Sequence, residues 1–132
     1  GFGNIAYVTA AGKAAEGTIF PAGRLPVADA LPASHPQKRV LTAYKKEYEA
    51  KFHEEASTFG GHAYDAFRIL AEAIRKAGTT DKEAVRDAIE GLKDLVGTAG
   101  VFNFSPDDHN GLTMDSFEML TVKNGAFAVY GR

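Results

Sequence analysis

The sequence predicts an α/β fold in which helices come first and a β-hairpin closes the chain. Apolar residues recur at helical spacing between about residues 40 and 92, as in amphipathic helices. Beyond Gly91 the apolar pattern changes to period two, which favours strands. Asn124-Gly125 then separates two apolar runs. This dipeptide is the strongest short signal for a hairpin, because both turn positions need a positive φ.

The first quarter of the chain predicts a short helix, a short strand and an irregular connection. Residues 1–11 have helical spacing, and Thr18–Phe20 favours a strand that Pro21 ends. Four prolines lie between residues 21 and 36, which predicts an extended crossover without regular structure. The inward-facing residues of the first helix are predicted to be Ile5, Tyr7 and Val8.

Two later helices carry polar residues at the spacing of a capping box. Ser34 and Gln37 predict a helix that runs through Phe52, with Pro36 in its first turn. Thr80 and Glu83 predict a shorter helix through about Ile89. The inward residues predicted for these two helices are Val40, Leu41, Tyr44, Tyr48, Phe52, Ala84, Val85, Ala88 and Leu92.

Between them, a long helix is predicted over Phe59–Ala77, with a polar cap at Ser57 and a terminating Gly78. Its first turn contains Gly60-Gly61. A glycine pair at a helix start lets a ligand approach backbone N–H groups that all point the same way. The same pair also builds an ordinary tight helix start, and both interpretations stay open. The predicted inward stripe is Ala63, Phe67, Leu70, Ala71 and Ile74.

The strand-rich end begins with Gly100–Phe104, whose alternation predicts a short strand. The closing hairpin is predicted from Met114–Val122 and Ala126–Tyr130 on either side of the Asn-Gly turn. Few strands are present for an α/β protein, which usually alternates strand and helix throughout. We therefore expect part of the core to come from elsewhere, either from further sequence or from a second copy of the chain.

Composition excludes several classes of function. The chain has 132 residues, a net charge of −2 and no basic patch, so nucleic acid is not an expected partner. It has no cysteine, which excludes thiol catalysis, disulfides and cysteine-based zinc sites. No apolar run approaches the roughly 18 residues of a membrane span. The start, Gly1-Phe-Gly-Asn4, has neither Met nor a signal peptide, and we expect a piece of a longer or processed protein.

No metal or catalytic site is predicted. Aligning Gly111 with the sixth position of a calcium loop puts Pro106 at position one and Phe117 at position twelve, where carboxylates are needed. Residues 105–111 therefore predict an acidic turn. No two histidines have i, i+4 spacing, and no nucleophile with an oriented base can be assembled. Asp65 is predicted to complement the helix dipole. The sequence thus predicts no cofactor and no enzyme.

Two side chains are candidates for contact with a ligand. His62 lies in the first turn of the Gly-Gly helix, where its ring could hydrogen-bond a ligand. Arg24 lies in the proline-rich crossover and could hold a carboxylate in bidentate fashion. The alternatives are a histidine with a purely local role at the helix start and an exposed loop arginine.

Five segments in register resemble bacterial branched-chain amino-acid-type periplasmic binding proteins, the solute-binding components of ABC importers. The resemblance extends over almost the whole chain, but over only the closing portion of such a protein. It implies a fragment of a fold of two α/β lobes that close over a ligand. The five segments are Ala11–Gly17, Gly61–Phe67, Thr80–Ile89, Gly97–Phe104 and Asn124–Phe127.

The resemblance also implies a division of the chain and a ligand site. Residues 1–20 and 114–132 resemble parts of one lobe, residues 35–110 resemble part of the other, and residues 21–34 form a crossover. In the family, the start of the long helix faces the cleft. By position, the expected ligand-binding residues are therefore Phe59, Gly60, Gly61 and His62, joined by Arg24 as a candidate.

By the same resemblance, the expected function is extracytoplasmic binding of a small molecule, of the amino acid, amide or aromatic acid class, for an ABC importer. The expected location is the periplasm, and the expected partners are permease subunits. The alternative is a ligand-sensing domain of the same fold coupled to a regulator or receptor. Because the sheet strands look incomplete, we also expect the isolated chain to associate as a homodimer.

Overall fold

The computed structural model describes residues 2–131, so Gly1 and Arg132, at the ends of predicted segments, lie outside the described residues. The α/β class is confirmed. The helices are α1 (Ile5–Ala11), α2 (Lys38–Phe52), α3 (Thr58–Ala77) and α4 (Lys82–Glu90). The strands are β1 (Ile19–Ala22), β2 (Leu95–Val96), β3 (Val101–Phe102), β4 (Glu118–Lys123) and β5 (Ala126–Val129). Short 3₁₀ helices cover Gly12–Ala15, Leu25–Ala30 and Met114–Ser116.

The strands form two antiparallel sheets. One has the order β1-β4-β5 and pairs Ile19 with Thr121, which brings both ends of the chain together. The other is the short β2-β3 hairpin. The predicted Asn-Gly turn between β4 and β5 is confirmed, with φ of 54° at Asn124 and 74° at Gly125. The Glu16 carboxylate accepts hydrogen bonds from both of these N–H groups, at 3.0 and 2.6 Å.

Three predictions about the connections are wrong. Pro21 does not end the first strand, because β1 is an edge strand, where a missing N–H is tolerated. The crossover is not devoid of regular structure, since Leu25–Ala30 is a 3₁₀ helix that buries Leu25 and Ala28. The last hairpin starts later than predicted, because Met114–Ser116 forms a 3₁₀ turn before β4.

Of the three helix starts for which capping residues are predicted, the structure confirms only that of α3. Ser57 caps α3 as predicted, accepting a hydrogen bond from Gly60 N–H, and Gly78 ends this helix in the left-handed conformation. At α4 the cap is Asp81 instead of Thr80, because its carboxylate lies 3.0 Å from Ala84 N. At α2 neither Ser34 nor Gln37 gives a side-chain cap, because the Gln37 side chain is used in the interior.

Apolar side chains form several small clusters. Most of the predicted inward residues of α2 and α4 are confirmed, with Leu41 and Tyr44 packed on the Leu25–Ala30 helix, and Val85 and Ala88 packed on α3. Tyr7 and Phe52 are exposed, contrary to prediction. A further cluster joins the three-stranded sheet to Val27.

The predicted stripe of α3 is wrong for four of its five residues, and Ile74 is the one that packs against the core. Phe67 is 73% exposed and Leu70 is also exposed, as are Ala63 and Ala71, whereas the buried residues of the helix are Gly61, Asp65 and Ala73. The face of α3 that carries Phe67 and Leu70 therefore points to solvent. The rotation has a polar cause, because Asp65 faces the β2–β3 loop and binds it, as described below.

Gly97, in that loop, should be intolerant of a side chain. A Cβ on Gly97 would lie 2.6 Å from Phe102 Cε2 and 2.8 Å from the Asp65 carboxyl group, both held in place by their surroundings. We expect Gly97→Ala to lower the free energy of unfolding by about 1–3 kcal/mol through overpacking. Urea unfolding measures this. Gly23→Ala is the matched control, since nothing lies within 4 Å of its added Cβ. Equal midpoints for the two variants would contradict the prediction.

Candidate functional site

The glycine pair at the start of α3 packs against the protein's own side chains. A Cβ on Gly60 would lie 2.5 Å from the Tyr44 hydroxyl oxygen. A Cβ on Gly61 would lie 2.7 Å from Thr98 Oγ1 and 3.2 Å from Leu25 Cδ2. The close packing at this helix start is therefore sufficient to explain why glycine stands at both positions. Their proposed contact with a ligand stays a prediction.

The structure separates the four residues expected at the helix start. Gly60 and Gly61 turn toward α2 and the β2–β3 loop, whereas the side chains of Phe59 and His62 are exposed. Only His62 of these four borders the cleft described next. The two exposed side chains are the ones available to contact a ligand.

A cleft of about 810 Å³ lies beside His62, between α3 and the segment that leads into β4. Its lining is mostly apolar, with a few polar side chains, as is typical of a small-molecule site. The polar groups include two imidazoles, those of His62 and His109. The apolar residues that line it are Ala66, Ile69, Ala99, Phe102, Phe104, Leu112, Met114 and Phe117.

Asp65 holds the floor of this cleft together. Its carboxylate accepts hydrogen bonds from Thr98 N at 2.7 Å, Thr98 Oγ1 at 2.9 Å and Ala99 N at 2.7 Å. The residue is only 3% exposed. Asp65 therefore binds the β2–β3 loop, so the prediction that it mainly complements the helix dipole is wrong. A carboxylate saturated by three donors is also a poor candidate for proton transfer or ligand binding.

Arg24 is neither an exposed loop arginine nor free. Its Nε donates to the Glu118 carboxylate at 3.3 Å, and Nη1 donates to Gln37 Oε1 at 3.2 Å. Nη1 also donates to Asp115 O at 2.6 Å, and Nη2 donates to Phe117 O at 3.1 Å. These bonds engage four of the five guanidinium N–H groups. A bidentate grip on a ligand carboxylate would require breaking one of them, and such contact stays a prediction.

Gln37 is the residue that sequence reasoning missed. It is 2% exposed, and its Nε2 donates to the carbonyl oxygens of Gly97 and Thr98 at 3.0 and 3.1 Å. A signal was present, because Gln37 lies four residues before Leu41 and seven before Tyr44, on the buried face of α2. A polar residue at a buried position of a helix points to a specific hydrogen-bonding role.

The acidic turn over residues 105–111 is confirmed. Asp108 Oδ1 accepts hydrogen bonds from the N–H groups of Asn110 and Gly111 at 2.9 and 3.0 Å, and Asp108 pairs with Ser105. This local bonding is the ordinary behaviour of aspartate in turns. Across residues 2–131, no three histidine, aspartate or glutamate side chains are grouped so as to hold a metal ion. Within the same residues, no helix has the length and hydrophobicity needed to cross a membrane.

An α/β fold with a mostly apolar cleft beside a helix start is typical of small-molecule binding domains. The sequence of this chain matches the family described as periplasmic binding protein over residues 1–126, and the chain belongs to that family. The resemblance seen in the five sequence segments is thereby confirmed. No curated protein matches the chain significantly.

Solved structures agree with this assignment. An extracellular ligand-binding receptor from Rhodopseudomonas palustris HaA2 is 32% identical, with a TM-score of 0.87 over 96% of this chain and 38% of that one. A leucine-binding protein from Thermotoga maritima MSB8 is 25% identical, with a TM-score of 0.74 over 96% of this chain and 33% of that one.

A third structure is an ABC transporter solute-binding protein from Rhodopseudomonas palustris in complex with benzoate. It is 21% identical, with a TM-score of 0.71 over 94% of this chain and 32% of that one, and it agrees in fold. The chain thus spans about a third of the length of each of these proteins. Ligand binding by the whole relatives therefore does not by itself establish binding by this chain.

The bonds of Asp65 predict a specific sensitivity to loss of its charge. Asp65→Asn would set an amide NH₂ against the N–H donors of Thr98 or Ala99 and remove a charge-assisted bond. We expect the free energy of unfolding to fall by about 2–3 kcal/mol, measured by urea unfolding. Asp107→Asn, at an exposed position of the acidic turn, is the control and should change little. A loss in Asp65→Asn no larger than in this control would refute the role assigned to Asp65.

Proposed function

We propose that this protein acts in solute binding for an ABC importer, taking up a small molecule in the cleft beside the start of α3. The observation that carries the proposal is the coincidence of the family match over residues 1–126 with a mostly apolar cleft next to His62. The mechanism is closure, in which ligand contacts favour the shut state and no bond is made or broken. The proposal includes a periplasmic location and permease subunits as partners.

The proposed ligand is a small molecule of the amino acid, amide or aromatic acid class. The apolar walls of the cleft suit a hydrocarbon or aromatic body, and the His62 imidazole suits a polar or anionic group of the ligand. The other imidazole, that of His109, lies 3.1 Å from the Glu90 carboxylate. The leucine-binding protein from Thermotoga maritima supports the amino acid class.

At the proposed site, His62 borders the cleft and Phe59 adds an exposed side chain at the same helix start, whose position Gly60 and Gly61 fix. Arg24 lies beneath the segment that carries Phe117 and has one N–H free for a ligand. In the proposed division, residues 1–20 and 114–132 belong to one lobe, and residues 35–110 belong to the other. Residues 21–34 cross between the two lobes, and closure would move the two parts relative to each other.

The alternative function is ligand sensing by a domain of the same fold. It is supported by the similar structure from Rhodopseudomonas palustris HaA2, which is described as an extracellular ligand-binding receptor. The two functions differ in the partner that receives the closed, liganded form. Co-purification with a permease supports import, whereas co-purification with a kinase or transcription factor supports sensing.

Binding can be tested on the protein at its full natural length. We expect one of L-leucine, benzamide or benzoate, at about 100 times its Kd, to stabilise the protein by about 2.7 kcal/mol in thermal unfolding. His62→Ala should weaken that binding by about tenfold, through loss of one hydrogen bond to the ligand. His53→Ala, at the exposed end of α2, is the control. The absence of stabilisation by any of the three compounds would count against the proposal.

The expected homodimer of the isolated chain is a separate proposal, supported by the exposed apolar face of α3. Phe67 and Leu70 lie on this face, and unpartnered apolar surface of this kind favours association. We expect light scattering to give twice the 14.1 kDa mass of one chain. Phe67→Glu should yield monomer, while Phe52→Glu on α2 should remain dimeric. A compact monomer for the unchanged chain would contradict this proposal.

A further inference from the structure

A continuous series of hydrogen-bonded polar groups runs from β4 to α3, and we define it as the polar relay: Glu118, Arg24, Gln37, the loop Gly97–Gly100 and Asp65. Gln37 and Asp65 are buried, Arg24 and Glu118 are half-buried, and the loop takes part mainly through its backbone. Arg24 bonds Glu118 and Gln37, Gln37 bonds the carbonyl oxygens of Gly97 and Thr98, and Asp65 bonds the N–H groups of Thr98 and Ala99. Each successive pair of members is thus joined by at least one direct hydrogen bond.

The relay joins segments that are far apart in the sequence. Arg24 and Glu118 are 94 residues apart, Gln37 and Gly97 are 60 apart, and Asp65 and Thr98 are 33 apart. Local folding therefore does not bring these groups together, and the relay exists only when the tertiary structure is complete. Its members come from the connection after β1, from α2, from the β2–β3 loop, from α3 and from the start of β4.

Gln37 has a role in the relay that few side chains can fill. Its amide oxygen accepts from Arg24 while its amide nitrogen donates to two carbonyl oxygens. Glutamate has no donor for those carbonyl oxygens, and lysine has no acceptor for Arg24. With the amide flipped, NH₂ would face the guanidinium, so the neighbours fix its orientation. Gln37 thus connects the Arg24 guanidinium on one side to the 97–98 backbone on the other.

The relay also borders the cleft near both of its ends, while Gln37 lies behind the cleft wall. Gly23, Asp65, Ala99, Ser116 and Phe117 line the cleft, and each is a relay member or stands within two residues of one. The Nη atoms of Arg24 bond Asp115 O and Phe117 O, on either side of Ser116. Because the charge-assisted bonds of Arg24 and Asp65 hold these groups at hydrogen-bond distance, we expect a shift of one cleft wall to be passed to the next relay member.

We propose that Arg24 and Gln37 are positioning residues, which set the cleft geometry by coupling the 115–118 segment to the floor formed by residues 97–99. In this role they act through the protein groups that they bond, apart from the ligand contact proposed above for the remaining N–H of Arg24. In the closure mechanism this coupling would transmit movement between the two proposed parts of the protein. That last step rests on the proposed function, whereas the coupling itself is a property of the protein without ligand.

The test is hydrogen exchange of the Thr98 and Ala99 amides, which donate to Asp65. The Gln37 side chain bonds the carbonyl oxygens of the same two peptide groups, whereas Arg24 reaches them only through Gln37. Arg24→Lys keeps the charge but cannot serve four acceptors. We expect this variant, and Gln37→Glu, to reduce protection of both amides by about tenfold or more in the unliganded protein. In the double variant, the fold-reduction in protection should be much smaller than the product of the two single-variant reductions. The two effects are not additive because both substitutions interrupt the same relay.

Lys38→Met is the matched control. Lys38 is next to Gln37 and donates two hydrogen bonds, to the carbonyl oxygens of Ala28 and Asp29, but it is not a relay member. Unchanged protection of Thr98 and Ala99 in Arg24→Lys, or an equal loss in Lys38→Met, would overturn the proposal. If Gln37→Glu fails to fold, the exchange rates measured in Arg24→Lys alone test the proposal. If instead Arg24→Lys fails to fold, the exchange rates measured in Arg24→Gln and Gln37→Glu test it. Since no ligand is used, a failure of the proposed binding function would leave this result unaffected.

Discussion

The bond between the Asp65 carboxylate and the β2–β3 loop is the constraint on which this structure depends. A buried carboxylate needs several donors, and the backbone N–H groups of Thr98 and Ala99 supply two of them at 2.7 Å. The loop can approach α3 so closely only because position 97 has no side chain. This one contact fixes the rotation of α3 about its axis and the place of the small hairpin against it.

The rotation of α3 decides which surface the protein presents. With Asp65 and Gly61 turned inward, Phe67 and Leu70 necessarily face solvent, although they form the more hydrophobic side of the helix. Burial of those two side chains would yield several kcal/mol, but only by leaving a charged group without partners. The exposed apolar face is therefore a consequence of the polar interior. It is also the natural surface for further protein to cover.

The cleft lies where these constraints converge. Its walls come from α3, from the β2–β3 hairpin and from the segment before β4, and beneath them Arg24 and Gln37 connect backbone groups that local structure cannot satisfy. Buried polar groups of this kind contribute a defined geometry more than net stability. A binding protein needs that geometry, since the orientation of a ligand depends on walls held in fixed relative positions.

The sequence by itself determined the local elements of this protein. The Ser57 cap, Gly78, the Asn124-Gly125 turn and the Asp108 turn each depend on neighbouring residues, and five segments in register sufficed to indicate the family. Only the tertiary structure decided the buried face of α3, the extension of β1 through Pro21 and the use of Arg24 and Gln37. Those outcomes depend on partners that lie 33, 60, 94 or 98 residues away. A helical period indicates which residues are apolar, but it does not indicate which polar groups will bond one another.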